Sequence, residues 1–545
     1  MSKVVLAANP LLQPVQGIAT EILLGVVLLA LVYYIKRNLV SSTKDFVIAN
    51  RKIGFGYGVA GLISIWTWAM AVMMSSAMTY SYGLSGLFWF TVPNGLAVIA
   101  VIPFARKVRS LMPNGYTIPE FVRARFEGTK LAVGVVILGA LFGSLIEVII
   151  NIKGTALVAY NVFGLDPKVA ALTGLVVVLI YSILGGLWAS VSTSTLATLL
   201  HSVPSAVIIV AALSYAGGAG AVWSAVSEQG QGLLSVTRAD AATGFGITLA
   251  LGLLTATIAG QEFWQVAWAL KKKDVSRTFL WAGAWFYPIP ICLGVLGLVG
   301  LALHVDVNKQ LGGDAAAIGP YLISHLGLPL WIVILYAVVI LSACYSVIDS
   351  AFTAISSVFV VDIVKPLVPN IRERSLFVWA KIPMAIAAVI AVAIVLSGVD
   401  FVTIVLTSYA IRTAILIPLV LSLFWKRMTG AGFVWGTIAA IAIGMPIRSV
   451  YGELWGSVAI LSISAVIPLV AGLLGRETFD FDRTAVKRPA KRRIVTQEGI
   501  QIIWDRQYEQ NIRRQQVAGG RTEITIVTGG VKEEDDYPES SSRGV

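Results

Sequence analysis

The sequence predicts an all-α membrane protein that crosses the bilayer many times. Of its 545 residues, 57% are hydrophobic and only 13% are charged, whereas about a quarter of the residues in a soluble domain carry a charge. Apolar stretches long enough to span a bilayer as helices recur as far as residue 475. We therefore assign residues 1–475 to a membrane domain and residues 476–545 to a polar, largely disordered tail.

The apolar stretches form about thirteen spans, since one crossing needs about 20 residues. Their positions are near 17–35, 56–82, 86–105, 132–160, 169–187, 190–217, 243–270, 278–303, 328–360, 375–397, 401–424, 431–449 and 455–475. Lys and Arg concentrate in every second connecting loop, namely around 36–52, 106–130, 271–277, 365–374 and 426–427. Positively charged loops stay on the cytoplasmic side. This alternation supports thirteen spans and places the N-terminus outside and the tail in the cytoplasm, by default at a plasma membrane.

The net charge of +12 lies mainly in these loops and in the tail. Membrane topology accounts for it, so the charge does not indicate nucleic-acid binding. The lipid bilayer is the partner that the composition predicts.

The second span is unusual because its middle is polar. It carries Ser64, Trp66, Thr67 and Trp68 where an anchoring helix would carry aliphatic residues. Polar groups at this depth cost free energy unless they face protein, water or a ligand. Alternatively, the hydroxyl groups bond to their own helix and the indole rings only pack. We predict that this helix is broken and lines a site.

Spans 2–6 and 7–11 form two sets of five, over about 56–217 and 243–424. An odd number of spans inverts the second set relative to the first, which is typical of transporters with interrupted helices near the midplane. Span 7 is then the counterpart of span 2. Its Gly260 can open the helix and free carbonyl groups for a ligand.

Ionisable residues inside membrane spans are functional candidates by default. They are Glu147, His201, Glu262, Asp349 and Arg412. Each also has a structural interpretation: Glu147 can pair with a neighbouring helix, His201 can be a satisfied structural histidine, and Glu262 can lie at the interface. Asp349 and Arg412 lie at comparable depths, which predicts that they neutralise one another.

Four motifs resemble the sodium:solute symporter family in order and in topology. They are YTIPEFVRARF at 116–126, YSILGGLWA at 181–189, GQEFWQVAWALKKKD at 260–274 and SSVFVVDIVKP at 356–366. The resemblance covers about residues 20–475. Within the family, the segments 66–90 and 283–303 look most like the active urea transporters. The resemblance implies a five-plus-five inverted-repeat core and cation-coupled uptake of urea or a related small amide or polyamine.

The polar residues of the two broken spans are compatible with such a substrate. Urea is planar and uncharged, with one strong acceptor and four N–H donors, and its site needs flat apolar faces and acceptors. Indole rings supply the faces and three polar side chains the acceptors, so the predicted substrate-binding residues are Trp66, Thr67, Trp68, Gln261, Glu262 and Trp264. A polyamine would instead need carboxylates beside aromatic rings, which Glu147, Glu262 and Asp349 could supply.

The resemblance also implies a sodium site of backbone carbonyls and two adjacent hydroxyl groups. The carbonyls fall near Ser64 and Thr67 and at Ala343, and the hydroxyl pair falls on Ser346 and Val347. The side chain of Val347 has no hydroxyl oxygen, and a hard cation needs a full set of oxygen ligands. Where the family commonly has a Thr-Asp pair, this sequence has Thr193 and Ser194, so a carboxylate is missing at position 194.

Asp349 lies one turn after Ser346 and can replace the lost oxygen or carry a proton. The predicted ion-binding residues are therefore Ser64, Thr67, Ala343, Ser346 and Asp349, and the coupling ion is Na⁺ or H⁺. No other cofactor is expected.

Three other functions compete with urea symport. The chain could carry another small organic solute, sense a solute without transporting it, or form a passive channel. Broken helices with polar groups at the midplane fit alternating access better than a channel. The sequence contains no recognisable nucleophile–base set, metal cluster or nucleotide-binding loop, which argues against an enzyme.

Overall fold

The computed structural model describes residues 12–40, 43–126, 129–368, 371–475, 478–479, 481, 492–496 and 499–503. The chain divides into two compact units, Met1–Phe479 and Asp480–Val545. In its described part the first unit consists of helices and their connecting loops, with one isolated bridge between Ile53 and Leu270.

The N-terminal half of the helical unit contains ten α-helices. They are α1 (Pro14–Leu39), α2 (Thr43–Ile48), α3 (Phe55–Trp66), α4 (Ser75–Tyr82), α5 (Leu84–Leu111), α6 (Ile118–Arg125), α7 (Lys130–Phe163), α8 (Pro167–Tyr215), α9 (Ala219–Glu228) and α10 (Ala239–Ala241). A 3₁₀ turn follows α2 at Ala49–Arg51, and π-helical turns lie at Met70–Met74 and Ala242–Gly246.

The remaining helices follow in chain order. They are α11 (Ile247–Ala259), α12 (Gln261–Ala269), α13 (Val275–Phe286), α14 (Pro288–Gly294), α15 (Leu296–Ala302), α16 (Val307–Gln310), α17 (Ile318–His325), α18 (Leu330–Val358), α19 (Lys365–Leu367), α20 (Glu373–Leu396), α21 (Phe401–Thr413), α22 (Leu416–Phe424), α23 (Gly430–Tyr451) and α24 (Glu453–Leu474). The 3₁₀ turns Lys272–Asp274 and Ala315–Ala317 and the π-helical turn Phe359–Val364 connect some of them.

The second predicted span is broken, as its polar middle indicates. Helix α3 ends at Trp66, and its axis makes an angle of 65° with the following segment Ala71–Tyr82. The chain leaves the helix at Thr67, which has φ −89° and ψ 75°. Beyond the break, the Ala69 N–H donates to Asn151 Oδ1 of α7 at 2.9 Å. A side chain therefore replaces a lost helical acceptor, which a break inside a membrane requires.

The seventh predicted span is broken at Gly260, which separates α11 from α12 with φ −73° and ψ 121°. A Cβ atom at this position would lie 2.1 Å from the Ala256 carbonyl oxygen. Only glycine permits so close an approach of backbone to backbone. The prediction that Gly260 opens the helix is confirmed.

Within the described residues, eleven helices are long and apolar enough to cross a membrane, and twelve if the bent pair around Trp66 counts as one span. The prediction of thirteen depends on α8, whose 49 residues contain two predicted spans. Gly186 interrupts α8 with φ 58° and ψ −155°, close to the predicted boundary. The number thirteen itself stays a prediction.

Helix α18 forms the centre of the helical unit. In its most apolar stretch 78% of the residues are buried, compared with 33% in α1 and 28% in α24. It packs against α7, α8 and the short α12. The outer helices expose the apolar side chains that would face lipid, whereas the polar groups described below lie around α18.

The second unit contains one described feature, an antiparallel pair of strands. β1 (Arg492–Thr496) pairs with β2 (Gly499–Ile503), with Arg492 opposite Ile503. These ten residues lie in the predicted polar tail, 476–545. The prediction that this tail is largely disordered stays a prediction, because most of the tail lies outside the residues that the structure describes.

Candidate substrate and ion sites

The two helix breaks lie side by side. The ring of Trp66, at the end of α3, makes an edge-to-face contact with Phe263 of α12 at 5.1 Å between centroids. Trp66 also contacts Trp68 at 5.5 Å, and its Nε1 donates to the Asn94 carbonyl at 3.0 Å. Trp66 is therefore fixed in the wall between the breaks, with its polar atom already satisfied.

Trp68 lies on the opposite side of the first break. Its ring is buried and stacks on Tyr409 of α21 at 6.4 Å. Its Nε1 is buried and has no hydrogen-bond partner among the described residues. Buried indole N–H groups usually have a partner. Of the predicted aromatic residues, Trp68 is thus the one with a free donor.

A cluster of three charged residues lies next to this stack. Arg412 Nη2 of α21 lies 3.1 Å from Glu147 Oε1 of α7, and this pair is buried. Glu262, in the first turn of α12, accepts a hydrogen bond from Ser144 and lies next to Glu147. Tyr409 interacts electrostatically with Arg412 and Glu147. We call Glu147, Glu262 and Arg412 the charged cluster.

The charged cluster corrects the predicted pairing of Asp349 with Arg412. Arg412 pairs with Glu147, so the structural interpretation of Glu147 as a partner of a neighbouring helix is confirmed. Gly143 permits the contact, because a Cβ there would lie 2.8 Å from Arg412 Nη2. Depth in the membrane was the only signal available from the sequence, and it does not define which face of α18 carries Asp349.

The charged cluster also leaves polar atoms without partners. Glu147 Oε2, Glu262 Oε2 and Arg412 Nη1 are buried and have no hydrogen-bond partner among the described residues. Together with Trp68 Nε1 they comprise two acceptors and two donors. Unpaired buried groups of this kind cost about 1–3 kcal/mol each, so this arrangement is suited to a polar ligand.

Three predicted substrate residues are engaged elsewhere. Thr67 Oγ1 donates to the Ile63 carbonyl at 2.7 Å, and Trp264 Nε1 donates to the Ile258 carbonyl at 2.8 Å. The amide of Gln261 bonds the Tyr116 carbonyl at 2.9 Å and the Ile118 N–H at 3.2 Å. These residues hold the broken helices in place and do not present free polar atoms.

Gln261 is part of a wider set of contacts between α12 and the segment 112–118. Trp268 Nε1 donates to the Met112 carbonyl at 3.0 Å, and Arg51 bridges the two segments by donating to the Gly115 carbonyl at 3.0 Å and to the Trp268 carbonyl at 3.2 Å. We call these contacts, including those of Gln261, the latch. Burial raises the pKa of the Glu120 carboxyl beside it, while backbone N–H groups of Tyr116 and Thr117 act in the opposite direction.

Two of the predicted ion-binding residues, Ser64 and Ser346, contribute to a second polar site. Ser346 Oγ of α18 lies 2.6 Å from Ser64 Oγ of α3 and 3.0 Å from Ser194 Oγ of α8. Ala343 lies one turn before Ser346 and is buried. Ser194 joins this site although sequence reasoning treated it only as a lost carboxylate. Three hydroxyl groups thus meet where the resemblance implies a sodium site.

Asp349 lies on the same helix but among different neighbours. Its Oδ2 accepts from Thr193 Oγ1 at 3.2 Å, and Ser182 and Ser190 lie beside the carboxyl. Its surroundings are therefore mainly hydroxyl groups of α8. His201, the remaining ionisable residue, bonds Ser342 Oγ through Nε2 at 3.0 Å, in line with a structural role.

Sequence reasoning missed Ser144 and Tyr409 as members of the site. Ser144 carries no charge, and Tyr409 belongs to a span in which Arg412 is the one charged residue. The spacing of Tyr409 and Arg412, three residues apart on one helix, was an available signal, because such residues share a face.

Comparisons with known proteins agree with the fold. The sequence profile of the sodium:solute symporter family matches residues 46–440. In structure, the chain is similar to a Na⁺-coupled sialic acid symporter in a substrate-bound, outward-open state, with a TM-score of 0.70, 17% identity, and coverage of 85% of this chain and 98% of that one. It also resembles Mhp1, a nucleobase-cation-symport-1 family transporter, with a TM-score of 0.50, 12% identity, and coverage of 81% and 97%. These likenesses confirm an inverted-repeat transporter core.

Curated relatives share more of the sequence than these solved structures do, although their identity stays below 25%. The chain is 23% identical to the urea-proton symporter DUR3 of Oryza sativa subsp. japonica over 74% of this chain and 60% of that protein. It is 24% identical to the probable urea active transporter 1 of Schizosaccharomyces pombe, over 60% and 52%. It is also 24% identical to the sodium/mannose cotransporter SLC5A10 of Bos taurus, over 60% and 61%. The chain thus spans between about half and two thirds of the length of these relatives.

Proposed function

Because the chain belongs to the sodium:solute symporter family, we propose that it is a secondary active transporter that carries urea or a related small amide or polyamine together with Na⁺ or H⁺. It would act as an integral protein of the plasma membrane, with its N-terminus outside and its tail in the cytoplasm. Relatives named as urea transporters and the resemblance of residues 66–90 support urea as the first substrate to test.

The observation that carries this proposal is the set of free polar atoms around the charged cluster. Of Glu147 Oε2 and Glu262 Oε2, the oxygen that carries no proton can accept an N–H group, while Arg412 Nη1 and Trp68 Nε1 can donate to a carbonyl oxygen. Urea offers both kinds of group and is flat enough to lie against an aromatic ring. The stacked Trp68 and Tyr409 supply such a ring beside the cluster.

The same site favours a neutral amide over a polyamine. Polyamines need unpaired carboxylates beside aromatic faces, and the guanidinium of Arg412 already lies 3.1 Å from Glu147. The carboxylate of Glu147 is thus already neutralised and does not attract a cationic substrate. Urea carries no net charge and needs no such attraction.

Alternating access requires that one side of the site can close while the other opens. The latch joins α12 to the segment 112–118, so it supports a state in which that side is shut. The break at Gly260 provides the point about which α12 can move. Broken helices led by polar residues are the usual moving parts of such transporters.

Labelled-urea uptake into proteoliposomes that contain the purified chain tests the proposal. Under an imposed Na⁺ or pH gradient we expect urea to accumulate above its external concentration. Equilibration without accumulation would indicate a channel, and binding without flux a sensor. Lack of any urea flux, together with gradient-driven uptake of another solute, would keep the symporter and exclude urea.

A matched pair of variants tests the site. Trp68→Phe keeps the stack on Tyr409 but removes the free N–H, so we expect the KM for urea to rise about 2- to 10-fold, as for loss of one hydrogen bond. Trp281→Phe makes the same change at a 46% exposed ring and serves as the control. Equal KM values for both variants would remove Trp68 from the substrate site.

A further inference from the structure

The negative and positive charges of the charged cluster do not balance. Two ionised carboxylates and one guanidinium sum to −1, and Glu147, Glu262 and Arg412 are only 2%, 2% and 6% exposed. A net charge held away from water is costly unless it is neutralised. A cation or a proton must therefore be part of the stable state of this cluster.

The arrangement of the two carboxyl groups favours a proton. Glu147 and Glu262 lie next to each other, each with one oxygen already bonded, to Arg412 and to Ser144 respectively. Two neighbouring carboxyl groups bind one proton as a pair, since both cannot be ionised without repulsion. The remaining charged and titratable groups that face the pair, Arg412 and Tyr409, both come from α21.

We propose that Glu147 and Glu262 jointly bind the coupling proton, one proton for the pair, while Arg412 holds the remaining carboxylate. This inference rests on the proposed function, because it chooses between Na⁺ and H⁺ for the same transporter. With the proton bound, the charged cluster is neutral and suited to a neutral solute. Without it, the cluster is negative and the empty carboxylate draws a proton from the side that is open to water.

The break at Gly260 connects this proton to the conformational change. Glu262 is the second residue of α12, whereas Glu147 and Ser144 lie on the unbroken α7. If α12 moves about Gly260, Glu262 leaves Glu147 and Ser144, but Glu147 keeps its contact with Arg412. The shared proton then loses one of its two carboxyl groups and passes to water as hydronium, which completes one transport step.

Asp349 fits this role less well. Its carboxyl group accepts from Thr193 and lies among the Ser182 and Ser190 side chains. Hydroxyl donors stabilise an ionised carboxylate without a shared proton. The other titratable group that interacts with it is Tyr181, which donates its own hydroxyl to the Tyr345 carbonyl at 2.9 Å.

Glu262→Gln tests the proposal because glutamine reproduces the charge of the protonated cluster. The Glu147–Arg412 pair stays balanced, so we expect the variant to fold. In proteoliposomes we expect it to lose urea accumulation driven by a pH gradient, and its remaining urea counterflow, which needs no net proton movement, should no longer change with pH. Glu228→Gln, at an exposed position at the end of α9, is the matched control and should retain both activities.

Infrared difference spectra of the purified proteins give a readout that does not depend on transport. Between neutral and alkaline buffer, where exposed carboxyl groups are ionised throughout, the wild type should show a C=O band of a protonated carboxyl group that Glu262→Gln lacks. Glu147→Gln is a second variant that should also lack the band if Glu262→Gln does not fold. Loss of the band in a chain that moves no urea would keep the proton site and overturn the proposed substrate.

Two results would overturn the proton site itself. One is pH-driven urea accumulation by Glu262→Gln at the wild-type level. The other is a carboxyl band that persists in both glutamine variants and disappears in Asp349→Asn, which would place the proton on α18.

Discussion

At the scale of single residues, Arg412 is the group on which the buried carboxylates depend. It lies 3.1 Å from Glu147 and interacts with Glu262, and the side chains of the ion pair are 6% and 2% exposed. Removing one partner of a buried ion pair leaves an uncompensated charge and typically costs about 3–5 kcal/mol. We expect Arg412→Gln to lower the free energy of unfolding by that amount, measured by denaturant unfolding in detergent.

Arg448→Gln provides the matched control for Arg412→Gln. Arg448 forms an ion pair with Glu453, but their side chains are 14% and 21% exposed and water can replace the lost partner. A smaller loss is therefore expected at Arg448. Equal losses at both positions would show that Arg412 does not compensate a buried charge.

The residue scale also shows what the sequence could not define. The sequence identifies the ionisable residues inside the spans, but their pairing depends on which way each helix face points. Asp349 of α18 faces Thr193 of α8, while Arg412 of α21 faces α7. The residue pattern of a single span does not define how its helix is rotated about its own axis relative to its neighbours.

At the scale of helices, both breaks could be predicted, one from Gly260 and the other from polar residues at the middle of a span. The direction of each side chain around the breaks could not. Gln261 and Glu262 are adjacent, so they point about 100° apart on a helix with 3.6 residues per turn. One therefore reaches the segment 112–118 and the other reaches Ser144.

The latch leads to a prediction about how α12 moves. Gln261→Ala removes the hydrogen bonds to the Tyr116 carbonyl and the Ile118 N–H, so that side of the site should open more often. Ser357 contacts Gln261 at 3.4 Å and is buried in the closed arrangement. In a Ser357→Cys variant without Cys292 and Cys344, we expect Gln261→Ala to speed labelling by a soluble maleimide severalfold.

Gln229→Ala is the control for this labelling experiment. Gln229 donates a side-chain hydrogen bond to the Leu301 carbonyl at 2.8 Å, away from the latch. Its loss should leave the labelling rate of the cysteine at 357 unchanged. An unchanged rate in Gln261→Ala as well would mean that the latch does not restrain α12.

At the scale of the whole molecule, hydropathy and loop charge predicted the class of fold, and the structural neighbours confirm it. The number of spans was harder to predict. The 49 residues of α8 form one continuous helix by their hydrogen bonds, yet they are long enough to cross a membrane twice. Gly186 decides the geometry of α8: a Cβ there would lie 2.5 Å from the Phe46 carbonyl oxygen. Phe46 is distant from Gly186 in the sequence, so this contact cannot be predicted from the sequence of α8 alone.

The choice of coupling ion is also a property of the whole molecule, and it leads to a prediction about stability. The hydroxyl group of Ser346 already bonds Ser64 and Ser194, and Val347 offers no oxygen beside it. A hard cation needs several free oxygen ligands, so this site should bind Na⁺ weakly. We expect the thermal unfolding temperature in detergent to be the same in NaCl and in KCl of equal ionic strength.

If Na⁺ does bind at Ser346, the resulting increase in stability is large enough for the same measurement to detect. A ligand present at one hundred times its Kd stabilises the folded state by about 2.7 kcal/mol. A saturable rise in stability with Na⁺, abolished by Ser346→Ala, would show that the three hydroxyl groups rearrange into a sodium site. The charged cluster would then need a different role, since one coupling cation held at Ser346 would leave the negative charge of Glu147, Glu262 and Arg412 to be balanced by the substrate.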